Sequence, residues 1–476
     1  MTKRIITLYH AGQKLITKDQ QPLGCNSDSN NEDVTPVEPP TLSEQLVTQI
    51  EDSVEGGTEA LLLPDPTDYE SIPADPNNPI TAEKVALGMM LFHETQMGTA
   101  GVNDTISNTW SCASCHHVAA GFKSGVVQGI GEGGSGFGVA GEARVLMPNF
   151  DGQSADPTMK PDVQPFASPT ILNTAYQEVM LWNGQFGNAE GGKINSGLAE
   201  NVLAPEGTPK FENLRGLAGL ETQAVAGTKV HRMNTFENSV LQNNVEYQLL
   251  FDAAFPEGSY DYLEEAGLAM AAYERTVLAN EAPFQRWLAG DDAAMTDQEK
   301  RGALLFFGKA NCVSCHAGPA LSSNVGASSD EMFMALGFAD LDTSDPHVTG
   351  VVTVNDSKGR GGFTGNPDDD FKFKVPQLYN LKDTNVFGHG GSFSSVRQVV
   401  MYKNAAVSQK RLSADVLDAR FVPLGLTDEE VDDLVAFIEE GLYDADLHRY
   451  VPTATPTGAC FPVADEQSKL DLNCAD

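Results

Sequence analysis

Two pentads, Cys112-Ala-Ser-Cys115-His116 and Cys312-Val-Ser-Cys315-His316, constrain this chain more than any other feature. In C-x-x-C-H, two thiols three residues apart add to both vinyl groups of one haem, and the next histidine swings under the iron as its proximal ligand. A zinc site would want four ligands in paired clusters and has no role for a histidine directly after the second cysteine. A redox dithiol would follow a strand in a βαβ unit, which the flanking loops do not suggest. One such pentad can arise by coincidence. Two of them, each behind a similar short helix, point to two covalent c-type haems.

The similarity upstream is a weak internal repeat. Gly88-Met-Met-Leu-Phe92 and Gly302-Ala-Leu-Leu-Phe306 share G-x-x-L-F, and each precedes a cysteine pair. Around the first, helical spacing over 81–92 puts Val85, Met89 and Phe92 on one face. Helical patterns return over 235–255 and 260–290. Thr296-Asp-Gln-Glu299 is a capping box ahead of the second G-x-x-L-F, and Thr427-Asp-Glu-Glu430 is another, ahead of the stripe Val431, Leu434, Val435 and Ile438. Between these, 121–165 is rich in glycine and proline with little periodicity, a loop long enough to expect a binding site or partner surface. The 476 residues, 41% hydrophobic, suffice for two domains plus tails.

The expected division is a largely disordered export and tether segment over 1–78, haem domains over 79–290 and 291–450, and a tail over 451–476. In the tail, Cys460 and Cys474 are expected as a disulfide in an oxidising compartment, the alternative being two free thiols. At the other end, Leu23-Gly24-Cys25 resembles a lipoprotein cleavage site, but the residues before it include Gln13, Lys14, Lys18, Asp19, Gln20 and Gln21 where an export signal needs an apolar stretch. Export is therefore argued from the haems, which are attached outside the cytoplasmic membrane. That places the chain in the periplasm or at the cell surface, with Cys25 a candidate lipid anchor. No apolar run of 18 residues exists, so no transmembrane helix is expected. The net charge of -36, from 66 acidic and 30 basic residues, excludes nucleic acid as a partner and would steer a basic protein, or serve solubility alone.

Several further segments, in order, resemble the bacterial di-haem cytochrome c peroxidase family, which includes the MauG-type enzymes that oxidise tryptophans on a partner protein. They are Leu87-Gly88-Met-Met-Leu-Phe92, Ser168-Pro-Thr-Ile-Leu-Asn173, Leu181-Trp182-Asn-Gly-Gln185, Pro283-Phe284, Phe373-Lys-Val-Pro376-Gln-Leu378-Tyr-Asn380, His389-Gly-Gly391 and Leu426-Thr-Asp-Glu-Glu430. The resemblance runs from about Thr81 to about Leu442. It implies a mainly α fold of two cytochrome c-like haem domains with long Gly/Pro-rich loops. It further implies that peroxide reacts at the haem on His116 and that electrons enter at the haem on His316, with Trp182 as a relay whose plain alternative is a core tryptophan.

Departures from the family pattern sharpen the expectation. Many members place a displaceable histidine sixteen residues after the proximal one; here Glu132 stands there, which implies an open iron face. The family's catalytic glutamate best matches Ala226, so Glu132 is the candidate for moving a proton between peroxide oxygens, with His231 in reserve. For the second haem, the register gives Lys403 as sixth ligand, with Met401 and Tyr402 just before it; Met401 is preferred as the softer donor. A calcium between the domains would fall near Thr384 and Val386, although Ala167 replaces the expected asparagine. The leading expectation is thus a di-haem peroxidase that reduces hydrogen peroxide with electrons from a small cytochrome c or copper protein, with a homodimer among the oligomeric states left open. A MauG-type oxidase of a partner's side chains and a non-enzymatic di-haem electron carrier are the alternatives.

Overall fold

Eight helices of nine or more residues carry the fold in the computed structural model, which describes residues 39–474 apart from 151–153, 188–192, 235–238, 259–261, 324–325, 346–347 and 350–351. They are α1 (Leu42–Ser53), α2 (Ala82–His93), α3 (Gly219–Val230), α4 (Val245–Ala254), α5 (Tyr262–Thr276), α6 (Asp297–Phe307), α7 (Val396–Ala405) and α8 (Asp428–Ala436). The strands among the described residues are two residues long. Gly134–Ser135 pairs antiparallel with Val145–Leu146, and Phe333–Met334 pairs antiparallel with Phe373–Lys374. No described helix is long and apolar enough to cross a membrane.

The G-x-x-L-F repeat has a packing cause. A Cβ built on Gly88 would lie 2.0 Å from the carbonyl oxygen of Ala269 on α5, and one on Gly302 would lie 2.0 Å from that of Asp433 on α8. Each glycine lets two helix backbones cross in contact, and each crossing stands behind one cysteine pair. The face of α2 differs from the sequence expectation, because neighbours cover it on more than one side. Leu87, Leu91 and Phe92 are buried, while Val85 and Met89 are half-buried. On α8 the expected stripe holds, with Val431, Leu434 and Ile438 buried.

The repeat extends past the pentads. Both cysteine pairs sit on a single 3₁₀ turn, Cys112–Ser114 and Cys312–Ser314. Asn173 and Asn380 both take the left-handed conformation (φ 57° and 56°), and each leads into another 3₁₀ turn. A narrow bridge then closes each unit, Met180 to Phe186 and Phe387 to Phe393. The next longer helices are α3 in the first unit and α7 in the second, and each lines the haem-binding cavity of its unit. Thr41–Asp476 nevertheless forms one compact unit. A single core joins Leu46, Leu278, Phe306, Tyr379 and Leu434. Residue 290 is therefore a boundary between repeats, not a break in packing.

Two expectations about the ends change. The ordered chain begins at α1, well before residue 79. The Thr41 hydroxyl accepts from the Glu44 N–H and the Glu44 carboxylate accepts from the Thr41 N–H. Leu46 and Ile50, one turn apart, are then fully buried in the main core. A helix with so narrow an apolar stripe reads as tether in isolation, and only α6 beneath it makes it stable. The 451–476 segment is docked. Cys460 and Cys474 form the expected disulfide, the carbonyl of Pro462 accepts from the Ser111 and Ser114 hydroxyls, and Asp465 pairs with the buried Arg144. Cys25 and the leader before it lie outside the described residues.

Gly302→Ala and Gly88→Ala each force a methyl group into a backbone carbonyl, so each variant is expected to lose about 1–3 kcal/mol of stability in denaturant unfolding. A loss under about 0.5 kcal/mol would mean that the crossings carry no strain.

Candidate functional site

Each C-x-x-C-H pentad opens onto its own cavity. The first, of about 140 Å³, is lined by Cys112, Cys115 and His116 together with Trp110, Leu220, Gln223, Gly227, His231 and Glu274. The second, of about 170 Å³, is lined by Cys315 and His316 with Trp182, Met334, Phe373, His389, Val399 and Lys403. Pro169, Thr170, Gln177, Leu181 and Lys374 line both, so the cavities share a wall.

The donor set fits c-type haem and not the rivals. Burial pushes the Cys115 and Cys312 thiols up to about 12 and Cys112 higher still, so none is a thiolate poised for metal or disulfide exchange. The described residues hold no group of three or more His, Cys, Asp and Glu able to bind a metal ion. Burial also pushes both His116 and His316 down to about 4, which keeps the imidazoles neutral and able to ligate iron. The Nδ1 of His316 lies 3.0 Å from the Leu321 carbonyl and 3.1 Å from that of Pro376. Donation there leaves Nε2 with a free lone pair. His117, next to the first ligand, packs against Phe137 instead.

Glu132 does not reach the first cavity. It is fully buried, but its carboxylate accepts from the N–H groups of Val102 (3.0 Å) and Asn103 (2.9 Å) and pairs with Arg232. Those bonds use up the acid and anchor the residue next to His231. The cavity receives His231 itself, at the C-terminal end of α3, with Nδ1 2.9 Å from the Asp162 carboxylate and its backbone carbonyl accepting from the Trp110 indole at 2.8 Å. Burial alone would lower the His231 pKa, yet the Asp162 charge and hydrogen bond hold it above the ordinary imidazole value. Asp162 comes from the long 121–165 loop, where only the loop's length hinted at a site.

Met233 and Met270 also line this cavity, but their sulfurs stand 3.9 Å from Cys112 Sγ, at the attachment edge. Glu274 is a second residue that the sequence reading missed. Burial raises it to about 8, so it lines the cavity as a neutral acid at pH 7.

In the second cavity the preferred ligand fails on direction. Met401 is 41% exposed on the outer face of α7, and the Tyr402 hydroxyl donates to the Leu336 carbonyl at 2.5 Å. Lys403 is the residue of the three that lines the cavity. Trp182 borders this cavity and not the first; its Nε1 donates to the Ala167 carbonyl at 2.9 Å, and its ring lies 6.3 Å from that of His389. Lys374, from the Phe373–Asn380 motif, reaches the shared wall, where it donates to Gln177 and to the Val179 carbonyl (2.8 Å); burial lowers it to about 7.

The calcium expectation is also corrected. The Val386 carbonyl accepts at 2.5 Å from the buried ammonium of Lys123, which burial lowers to about 8. An ammonium on that oxygen repels a divalent cation, so the residues present do not fit calcium.

Comparison with known proteins agrees with this geometry. Residues 82–293 match the family described as di-haem cytochrome c peroxidase. The chain is 30% identical over 388 residues to cytochrome-c peroxidase IdrP1 of Denitromonas iodatirespirans, covering 77% of this chain and 84% of that protein. It is 27% identical over 374 residues to methylamine utilization protein MauG of Methylorubrum extorquens, covering 78% and 81%. Among solved structures, a MauG-like protein associated with microbial copper homeostasis superposes with a TM-score of 0.55 at 24% identity, covering 81% of this chain and 95% of that one.

Dialysis against a calcium chelator is expected to leave the thermal midpoint of the haem-loaded protein unchanged. A fall that added calcium reverses would show a metal in place of the Lys123 ammonium.

Proposed function

The chain belongs to the di-haem cytochrome c peroxidase family, and from that premise we propose that it reduces hydrogen peroxide to water at the His116 cavity with electrons that enter through the His316 cavity. The carrying observation is the His231–Asp162 pair in a cavity whose helical wall offers no strong ligand. Along α3 the lining residues are Leu220, Gln223, Ala224, Gly227 and Thr228. None is a methionine, lysine or tyrosine, so a small oxidant has room to approach the face opposite His116.

Cys112, Cys115 and His116 would hold a haem there, which when bound would supply the redox chemistry for peroxide reduction. The protein's part is proton handling and exclusion of water. His231 accepts a proton from one peroxide oxygen and returns it to the departing oxygen, so the O–O bond breaks with loss of water and not of hydroxide. Asp162 accepts the Nδ1–H bond, which orients the ring and stabilises the imidazolium that forms for a moment. Two electrons and two further protons complete the conversion of one peroxide to two waters. The shared wall, with Leu181 and Lys374 facing both cavities, is the short way between them, and Trp182 is the aromatic group beside it on the donor side. The electron donor is a small redox protein; the charge of -36 favours a basic one. Covalent haem attachment and the Cys460–Cys474 disulfide both suit the periplasm or the cell surface.

His231→Ala is expected to lower kcat/KM for peroxide by about 10²–10⁴-fold. An unchanged rate, or a resting protein with both irons low-spin in electron paramagnetic resonance, would overturn the proposal.

The base must be neutral to accept a proton, so activity falls as pH drops through the His231 pKa, which Asp162 holds up. Asp162→Asn removes that support, and the acid limb of the pH–rate profile is expected to move to lower pH as the plateau rate falls. A limb that stays put assigns the titration to another group.

Trp182→Phe is expected to slow electron delivery from a protein donor while single-turnover reaction with peroxide is preserved. Equal rates in both assays would reduce Trp182 to a core residue.

A further inference from the structure

We propose that Lys403 is the second axial ligand of the iron carried on His316, so that this haem is held between an imidazole and a neutral amine. The inference rests on the family reading only for the presence of the haem. Its own ground is elimination within the His316 cavity. The other lining groups with a donor atom suited to iron each have a partner or a ring contact that holds them in place. The Met334 sulfur meets the Arg420 guanidinium at 2.7 Å. His389 Nε2 is bonded to Asp340 at 3.0 Å, and its ring stacks on Phe373 at 3.6 Å. Lys123 and Lys374 each donate to backbone carbonyls, of Val386 and Val179. The Gln377 amide is turned back on Tyr379.

Lys403 has no hydrogen bond or ion pair with any described residue; the Phe421 ring, 5.8 Å away, is its one aromatic neighbour. Half-buried beside two thiols and an imidazole, with only the more distant charge of Asp418 to balance it, this lysine leaves room for something in the cavity to complete its bonding. An iron–nitrogen bond does so. The comparison with α3 sharpens the point. Both helices face their cavities with residues one turn apart, Gln223 and Gly227 on α3, Val399 and Lys403 on α7. Glycine leaves one iron face clear where lysine can close the other. One repeat is thereby made a reaction site and the other an electron-transfer site by a single side chain. An amine is a harder donor than the thioether expected at Met401, so this haem would have a lower potential than a methionine-ligated one.

The test uses the full-length protein with both haems attached. The oxidised wild type is expected to show one low-spin haem without the near-infrared charge-transfer band of an iron–thioether bond; that band in the wild type would overturn the proposal. Lys403→Ala is expected to convert the low-spin signal wholly to high-spin, and Met401→Ala to leave it unchanged. A low-spin signal with unaltered g values in Lys403→Ala would also overturn it. Where the alanine variant does not fold, Lys403→Met serves: the thioether band appears and the reduction potential of that haem rises. Neither change in Lys403→Met would sink the assignment. Peroxide turnover at the other haem, driven by a small chemical reductant, is read separately, so the ligand can fail while the peroxidase reading stands.

Discussion

The burial of two cysteine–cysteine–histidine sets in apolar cavities is the constraint from which the rest of the structure follows. Removing these groups from water keeps both imidazoles neutral and the Cys112, Cys115 and Cys312 thiols protonated, the forms that suit iron ligation and covalent attachment. It also demands walls from distant parts of the chain. The pentads supply only one edge of each cavity. Loops near Pro169 and Pro376, the helices α3 and α7, and the wall formed by Leu181 and Lys374 supply the rest. Close helix crossings at Gly88 and Gly302 give those walls a rigid back.

Charge is arranged on the same terms. The chain as a whole is strongly acidic, yet several of its buried charges are paired. Arg275 pairs with Glu221 at 2.6 Å and Arg144 with Asp465 at 3.3 Å, and Glu132 is satisfied by Arg232 and two backbone donors. An unpaired ion at any of these places would cost several kcal/mol. The Asp162–His231 pair differs because one member opens onto a cavity. Its charge is therefore available for chemistry, while that of Glu132 is spent on holding the loop. The same distinction separates Lys403 from Lys123 and Lys374, which donate hydrogen bonds to carbonyl oxygens.

The repeat shows how two functions come from one architecture. Both units carry the same glycine crossing, the same cysteine turn, the same left-handed asparagine and the same bridge. They part at the helix that lines each cavity. The first ends in His231, braced by Asp162 from the 121–165 loop. The second offers Lys403. Small differences on a common frame thus give the two cavities different walls.

Local patterns made much of this legible. The capping boxes at Thr296 and Thr427 and the Cys460–Cys474 pair depend on residues close in sequence or on pairing with few alternatives, and the structure bears them out; the pentads each open onto a cavity. Helix α1 was missed because its two buried leucine-sized residues mean little until α6 lies beneath them. Direction in space was the harder matter. Counting residues put Glu132 at a plausible distance along the chain and donor softness preferred Met401 to Lys403, but each step along a helix turns a side chain by about 100°, and a buried carboxylate turns toward whatever donors lie nearest. Sequence therefore determined the two C-x-x-C-H pentads, their positions and the family. Tertiary structure alone decided which side chains face them, because that choice depends on hydrogen bonds and packing between residues tens to hundreds of positions apart.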